Sequence, residues 1–179
     1  IEGSIPLSLA NLTKLIALSL SSNKIKGLIP LNVGHMHKLQ VLFLDKNVLE
    51  GPIPLSIYQL VRMYDFDIEH NMLIGSMSSS IRNLTSLQKL DPCSNNLSST
   101  LPPGLCELDL WELYLQDNSL VGHLPLGLGN LATMINMDIS ANKLSGELPT
   151  SLSKLQMLEY LNLPHNTFDG HIPQQLDHM

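Results

Sequence analysis

The chain has 179 residues, of which 44% are hydrophobic, 15% charged and only 4% aromatic, and its formal net charge is −6. The apolar fraction excludes a disordered chain, and the acidic balance excludes nucleic acid as the main partner, because phosphate binding needs a basic face. No apolar run is long enough to span a membrane. Since the chain starts at Ile1 without a charged and apolar leader, we expect any targeting segment to lie outside this piece.

Asparagine recurs along the chain at intervals of 23 or 24 residues, which is the period of a leucine-rich repeat. Apolar residues precede each asparagine at fixed distances, as Leu15, Leu18 and Leu20 do in the first copy. The alternation of apolar and polar residues predicts a short strand in each repeat, and stacked repeats share one core. The asparagines are Asn23, Asn47, Asn71, Asn95, Asn118, Asn142 and Asn166. We expect their amides to form a structural ladder of hydrogen bonds with the backbone.

A glycine follows most of these asparagines and precedes an apolar residue and a proline, as in Gly27, Ile29 and Pro30. At this point the chain resembles the plant-specific class of extracellular leucine-rich repeats, L-x-x-L-x-L-x-x-N-x-L-x-G-x-I-P. The segment 53–60 with Phe66-Asp67-Ile68 is similar to repeats of the receptor-kinase subfamily that contains the flagellin receptor and the rice blight-resistance receptor.

The resemblance implies an α/β solenoid, a right-handed superhelix with a parallel β-sheet on the concave face and short 3-10 or irregular segments on the convex face. We expect one leucine-rich-repeat domain over residues 1–179, with a partial leading repeat over 1–11 and seven repeats of 23–24 residues. The last repeat is truncated and capping modules are absent, so the chain is expected to be an internal slice of a longer ectodomain.

One repeat departs from the consensus, and we expect residues 76–108 to be the weakest part of the solenoid. Pro92 replaces an inward leucine and removes a backbone donor from a parallel strand. Ser78 replaces the usual proline and Ser99 the usual glycine, and one residue is deleted near Leu108.

No catalytic motif is present, so we expect neither an enzyme nor a cofactor. Residues 127–132 spell a dinucleotide fingerprint, but the repeat period already explains their leucines. No histidine pair has metal-ligand spacing together with a third ligand, which predicts no metal site. Cys93 and Cys106 fall on opposite sides of a coil and are expected to be free thiols.

Three Asn-x-Ser/Thr sequences are candidate glycosylation sites, which together with the plant-type repeat favour an extracellular address. They begin at Asn11, Asn83 and Asn96.

The outward positions of the strands form columns, and acidic residues concentrate in the second to fourth strands. Because parallel strands lie about 4.8 Å apart, Asp67 and Asp91 are expected to be neighbours. We predict a ligand-binding patch that receives a basic side chain; the alternative is an acidic face that serves only solubility. The predicted patch comprises Phe43, Asp45, Asp65, Asp67, Glu69, Asp91 and Tyr114. Both arginines, Arg62 and Arg82, fall in the convex half, so the paired arginines with which related receptors hold a peptide carboxylate are missing.

The resemblance implies a protein- or peptide-binding module, a segment of a plant receptor-like kinase or receptor-like protein ectodomain that acts in signalling such as innate immunity. Its expected partners are a peptide or protein ligand and a co-receptor, with no membrane contact by this segment. The alternative is a secreted inhibitor of microbial cell-wall hydrolases that resembles the polygalacturonase inhibitors. An ice-binding solenoid ranks last, because the outward columns lack a flat array of threonines.

Overall fold

The computed structural model describes residues 1–174, in which successive repeats add strands to two parallel sheets. The strands in chain order are β1 (Glu2–Gly3), β2 (Ala17–Ser19), β3 (Lys24–Gly27), β4 (Val41–Phe43), β5 (Val48–Pro52), β6 (Asp65–Asp67), β7 (Met72–Gly75), β8 (Lys89–Asp91), β9 (Asn96–Ser99), β10 (Glu112–Tyr114), β11 (Ser119–Gly122), β12 (Asn136–Asp138), β13 (Lys143–Glu147), β14 (Tyr160–Asn162) and β15 (Thr167–Asp169). Strands of the same sheet alternate along the chain, so neighbours in each sheet come from consecutive repeats.

The even-numbered strands form a seven-stranded sheet in which each strand pairs in parallel with the next repeat. The middle residue of each strand points into the core, and Leu42, Phe66 and Leu90 align directly across three strands. These three side chains are at most 2% exposed. Leu18 and Leu161 are only partly buried because their strands pair on one side alone. The sheet confirms the strands predicted from the apolar alternation.

The odd-numbered strands form a second, eight-stranded sheet that the sequence did not predict. Each begins at the residue after a repeat asparagine or, for β1, near the chain start. In each repeat a short 3-10 helix comes after the odd-numbered strand. These helices are Leu7–Asn11, Val33–His35, Leu55–Gln59, Ser79–Asn83, Pro103–Glu107, Leu126–Asn130 and Thr150–Lys154. Residues 1–174 contain no α-helix, so the helical part of the predicted solenoid consists of 3-10 turns.

The repeat asparagines bridge consecutive turns of the solenoid. The Nδ2 of Asn47 donates to the carbonyls of Leu44 and Asp45 in its own repeat and of Leu20 in the repeat before, each at 3.0 Å. Its Oδ1 accepts the backbone N–H of Ile25 at 3.0 Å. The same four bonds recur at Asn71, Asn95, Asn118 and Asn142. Each amide therefore satisfies backbone groups where the chain leaves the seven-stranded sheet.

The residue immediately before each repeat asparagine has a left-handed backbone, although none of the seven is glycine. Their φ values lie between 50° and 58°. The seven residues are Ser22, Lys46, His70, Ser94, Asp117, Ala141 and His165. The N–H of His70 donates to the carbonyl of Cys93 in the next repeat at 3.0 Å. These inter-repeat bonds hold a conformation that L-residues ordinarily avoid.

Pro92 removes one hydrogen-bond donor from the seven-stranded sheet, as predicted. Elsewhere the residue after each strand donates to the next repeat, as Ile68 does to the Asp91 carbonyl at 2.9 Å. Pro92 has no N–H for the equivalent bond to Tyr114, and the pairing of β8 with β10 ends at Leu90 and Leu113. The sheet thus loses one bond here but remains continuous.

The other substitutions in this repeat are accommodated locally. Ser78 keeps the backbone of the prolines it replaces (φ −72°, ψ 148°), and its extra N–H donates to the Tyr58 hydroxyl at 3.1 Å. Ser99 adopts φ 82°, the same left-handed conformation as Gly122 at φ 80°. The deletion changes the end of the 3-10 helix, where Leu108 has ψ 160° instead of the values near 60° in most other repeats.

Candidate ligand-binding face

The solvent side of the seven-stranded sheet, which we call the front face, carries the predicted binding residues. Asp65 and Asp67 are the first and third residues of β6, and Asp91 ends β8. Phe43 ends β4 and Tyr114 ends β10, one strand further out on either side. Asp45 and Glu69 lie two residues beyond their strands. The structure therefore brings the seven predicted residues to one face of four consecutive strands.

Four carboxylates meet at the centre of this face, and we call Asp45, Asp67, Glu69 and Asp91 the acidic cluster. Asp67 and Asp91 are register partners in adjacent strands, as the repeat period predicted. Their Oδ1 atoms accept the backbone N–H two residues on, that of Glu69 at 3.0 Å and that of Cys93 at 3.2 Å. Each aspartate thus also closes the turn that follows its strand.

The acidic cluster is more buried than an outward column of strand residues led us to expect. Asp45 and Asp91 are each only 8% exposed because the stacked side chains shield one another. Partial burial and repulsion from neighbouring carboxylates, Asp91 first, raise the pKa of Asp67 to about 6. Burial likewise raises the pKa of Asp91. Ionised carboxylates at Asp67 and Asp91 therefore lower the free energy of unfolding at neutral pH.

Lys46, which the predicted patch did not include, partly neutralises the acidic cluster. Its Nζ lies 2.5 Å from Oε1 of Glu69 and 3.8 Å from Oδ2 of Asp45. Partial burial alone would raise the pKa of Glu69, but hydrogen bonds from Lys46 and from the Cys93 thiol outweigh it and lower this pKa. Lys46 therefore pairs with Glu69 and, at a longer distance, with Asp45, whereas no cation of residues 1–174 lies within salt-bridge distance of Asp67.

Lys89 forms a second charged group beside the acidic cluster, together with residues from the strands on both sides. It is the register partner of Asp65 and of Glu112, and its Nζ lies 3.7 Å from Oε2 of Glu112. The same Nζ lies 5.8 Å from the centre of the Tyr114 ring, within cation–π range. The buried Oδ1 of Asp65 accepts no hydrogen bond from residues 1–174.

Two exposed aromatic residues extend the front face sideways. Tyr64 and Trp111 each precede a strand and are 41% and 47% exposed. With Asp65, Gln88, Lys89 and Glu112 they line a shallow cavity of about 170 Å³. Sequence reasoning missed them because the column that contains them, seven residues before each asparagine, mixes Ile16, Gln40 and Glu159 with the aromatics.

The arginines lie away from the acidic cluster. Arg62 lines an open depression of about 630 Å³ beside Tyr64 and Asp109. Arg82 sits in the 3-10 helix Ser79–Asn83, with Nη1 3.9 Å from Oε1 of the exposed Glu107. Neither arginine belongs to a strand of the front face, as expected.

The remaining predicted positions are separate from this face. Asn11, Asn83 and Asn96 are exposed, at the ends of two 3-10 helices and at the start of β9. Cys93 and Cys106 are free thiols, as predicted, and both are buried. Burial raises the pKa of each thiol, so neither has the thiolate character of a reactive cysteine.

The glycine-rich stretch that spells a dinucleotide fingerprint has a packing role. It forms only the five-residue 3-10 helix Leu126–Asn130. A Cβ at Gly129 would lie 2.1 Å from the carbonyl oxygen of Ser151 in the next repeat, so the glycine permits close stacking. No helix within residues 1–174 is long and apolar enough to cross a membrane.

The Leucine Rich Repeat family model matches residues 14–36, 109–131, 134–155 and 157–179, together just over half of the chain. The chain belongs to the leucine-rich repeat family. No curated protein sequence matches it. Residues 37–108 lie between the matched segments, and the structure continues both sheets through them without a break.

Solved structures of plant receptor ectodomains are similar to this leucine-rich repeat chain along nearly its whole length. The Arabidopsis thaliana GASSHO1/SCHENGEN3 ectodomain, in complex with CASPARIAN STRIP INTEGRITY FACTOR 2, is 34% identical with a TM-score of 0.96 over 98% of this chain. A TDR receptor is 35% identical over 99% of the chain, with a TM-score of 0.95. The Arabidopsis receptor kinase HAESA, in complex with the peptide hormone IDA and the co-receptor SERK1, is 31% identical over 99%, with a TM-score of 0.97. This chain spans 21%, 31% and 30% of those three chains.

Proposed function

We propose that this chain is part of the extracellular region of a plant receptor kinase or receptor-like protein, and that its front face binds a peptide with a basic side chain. The subfamily that contains the flagellin receptor is its proposed place among these receptors. Support comes from the similar ectodomains, two of which are in complex with a peptide hormone or an integrity factor. Binding, followed by recruitment of a co-receptor, is the proposed mechanism, with no chemistry in this segment.

The observation that carries the proposal is the buried Oδ1 of Asp65, which has no hydrogen-bond partner in the part of the chain that the structure describes. A buried acceptor without a donor costs about 1–3 kcal/mol, so rotation of the carboxylate that brings this oxygen to the N–H of a ligand recovers that cost. Ammonium and guanidinium groups supply such donors, and hydrogen bonds to charged groups are the stronger kind.

The charge balance of the front face favours the same class of ligand. The acidic cluster and Asp65 supply five carboxylates, which face the ammonium groups of Lys46 and Lys89. A bound cation would relieve the repulsion that raises the pKa of Asp67. Trp111 and Tyr64 offer apolar contact beside the charged group, as binding sites commonly do.

Capture of a free peptide C-terminus is not part of this proposal, because both arginines lie off the front face. Asn11, Asn83 and Asn96 are proposed glycan sites, and each lies outside the seven-stranded sheet, so a glycan there would leave the ligand face open. The proposed location is accordingly extracellular.

The test is binding of a plant and microbial peptide pool to the purified chain, at low and at high salt. A basic peptide should bind, and its affinity should fall with salt because screening weakens exposed charge pairs. The triple variant Asp65→Asn, Asp67→Asn, Asp91→Asn should lose this binding. The matched control is Asp117→Asn, an exposed carboxylate outside the acidic cluster whose left-handed backbone, with φ 55°, suits asparagine.

Two outcomes contradict the proposal. If the triple variant binds the peptide as tightly as the parent, the acidic cluster is not the site. If a folded sample binds no peptide but inhibits a microbial polygalacturonase, the hydrolase-inhibitor alternative replaces the receptor proposal.

A further inference from the structure

Three metal-ligand side chains of different chemistry meet at one edge of the acidic cluster. Oε2 of Glu69 lies 3.4 Å from Sγ of Cys93 and 3.7 Å from Nδ1 of His70. The three donor atoms all lie within 4.8 Å of one another, and no other such group of three occurs in residues 1–174. The expectation of no metal site rested on the spacing of histidines in the sequence, whereas the solenoid places residues of consecutive repeats side by side.

Two of the three distances between the ligand atoms fit a tetrahedral zinc ion, and the third, from His70 to Cys93, is at most 4.8 Å. Zn²⁺ binds carboxylate oxygen and imidazole nitrogen at about 2.0–2.2 Å and thiolate sulfur at about 2.3 Å. The edges of a tetrahedron with those arms are about 3.3–3.6 Å long. The two distances from Glu69 to Cys93 and to His70 are therefore close to those that zinc would impose.

We propose that Glu69, His70 and Cys93 bind one Zn²⁺ ion, with a water molecule in the fourth position. The set combines one sulfur, one nitrogen and one oxygen, a mixture that favours Zn²⁺ over the hard cations Ca²⁺ and Mg²⁺, which take oxygen ligands. Three protein ligands leave one coordination position open. His70 and Glu69 reach solvent with side chains 56% and 18% exposed, which gives the ion a path to the buried thiol.

Hydrogen bonds fix the backbone of His70 and Cys93, and Lys46 orients the carboxylate of Glu69. The N–H of His70 donates to the carbonyl of Cys93 at 3.0 Å, which fixes the two repeats at this point. Lys46 occupies Oε1 of Glu69 and leaves Oε2 for the ion. The N–H of Cys93 donates to Asp91. Partners of this kind orient metal ligands and strengthen metal sites.

Zinc binding replaces the hydrogen bond in which the Cys93 thiol donates to Glu69. The thiol proton leaves to solvent as the sulfur–zinc bond forms, so binding releases one proton and weakens as the pH falls. The neighbouring repeats cannot form the same site. Lys46 stands in the place of His70 one repeat earlier, and Ser94 stands there one repeat later.

The test is titration of the metal-free, reduced chain with Co²⁺, whose thiolate complexes absorb in the near ultraviolet, and then with Zn²⁺ by calorimetry. The variants Cys93→Ser and His70→Ala suit the fold, since Ser140 and Ala141 occupy the same two positions in another repeat, with Ala141 at φ 50°. Cys106→Ser and His165→Ala are the matched controls, a second free cysteine and a second histidine with the same backbone.

We expect one ion per chain, a Co²⁺ thiolate band, and more than about tenfold weaker binding in Cys93→Ser and in His70→Ala. The two controls should bind as the parent does. The proposal is overturned if no stoichiometric binding occurs, if Cys93→Ser retains the thiolate band, or if Cys106→Ser abolishes it. A band that depends on Cys93 but not on His70 would overturn the three-ligand site as well.

Discussion

Replacing Asp67 with asparagine should make the protein more stable at neutral pH. In the folded chain, Oδ1 of Asp67 accepts the backbone N–H of Glu69 at 3.0 Å, and the amide oxygen of asparagine can accept the same bond. The substitution therefore keeps the turn that follows β6 and removes only the charge. Asn162 fills the equivalent place in β14, so the side chain suits this column.

The magnitude follows from the pKa of Asp67, which rises from 3.8 to about 6 on folding, with partial burial as the largest cause. Because the folded pKa lies above the unfolded one, the protein is relatively more stable below pH 4 and loses that stability as the pH rises through 6. A difference of about two pKa units corresponds to about 3 kcal/mol. Solvent screening of this partly exposed group reduces the cost to about 1–2 kcal/mol.

Urea unfolding at pH 3.5 and at pH 7.5 tests this prediction. Asp67→Asn should raise the free energy of unfolding by about 1–2 kcal/mol at pH 7.5 and change it little at pH 3.5. The control is Asp138→Asn. There Oδ1 accepts the N–H of Ser140 and Oδ2 accepts Nδ2 of Asn162 at 2.8 Å, so removing the charge weakens bonds to a carboxylate and should not stabilise the fold. A variant at position 67 that is less stable at pH 7.5, or equally shifted at both pH values, would refute the reasoning.

Three further substitutions test the packing of the repeats by the same unfolding measurement. Ser99→Gly should stabilise the protein by about 0.5–1 kcal/mol, because the residue has φ 82° and glycine adopts this conformation without strain; an unchanged free energy would contradict this. Tyr58→Phe should cost about 1 kcal/mol or more, since it leaves the Ser78 N–H without its acceptor, and this cost should shrink in a Ser78→Pro background, which has no N–H; additive effects would show that the two residues are not coupled. Gly129→Ala should destabilise by about 1–3 kcal/mol because its Cβ meets the Ser151 carbonyl, and a neutral effect would mean that the repeats can move apart freely.

The sequence predicted the features that repeat with a fixed residue type. The apolar alternation placed the strands of the front face, and the period made Asp67 and Asp91 neighbours, as the register has them. Each of these features depends on one column of the repeat, and a column can be read by counting from its asparagine.

The sequence did not predict contacts between two different columns, nor a backbone conformation that several residue types share. Lys46 stands one residue before Asn47, and Glu69 stands two residues before Asn71. The two side chains meet because these different columns lie side by side in consecutive repeats. The left-handed residue before each asparagine is serine, lysine, histidine, aspartate or alanine, so its conformation leaves no mark in the sequence. Mutual shielding of stacked side chains, which buries Asp45 and Asp91, likewise requires the register of several strands at once.

The fold itself does not require the charges of the acidic cluster. Neutral residues stand at the same positions elsewhere in the same sheet: Ser19 and Asn162 in the column of Asp67, and Ser21 and Gln116 in the column of Glu69. The turn that follows the strand forms even after Phe43, which ends β4 at the same position and has no acceptor in its side chain. The neighbouring carboxylates help to raise the pKa of Asp67 to about 6 and therefore lower the stability of this chain at neutral pH. Neutral residues at these positions would support the same fold without that loss of stability. Such a cost is expected where a face is shaped for a cationic ligand or ion rather than for stability.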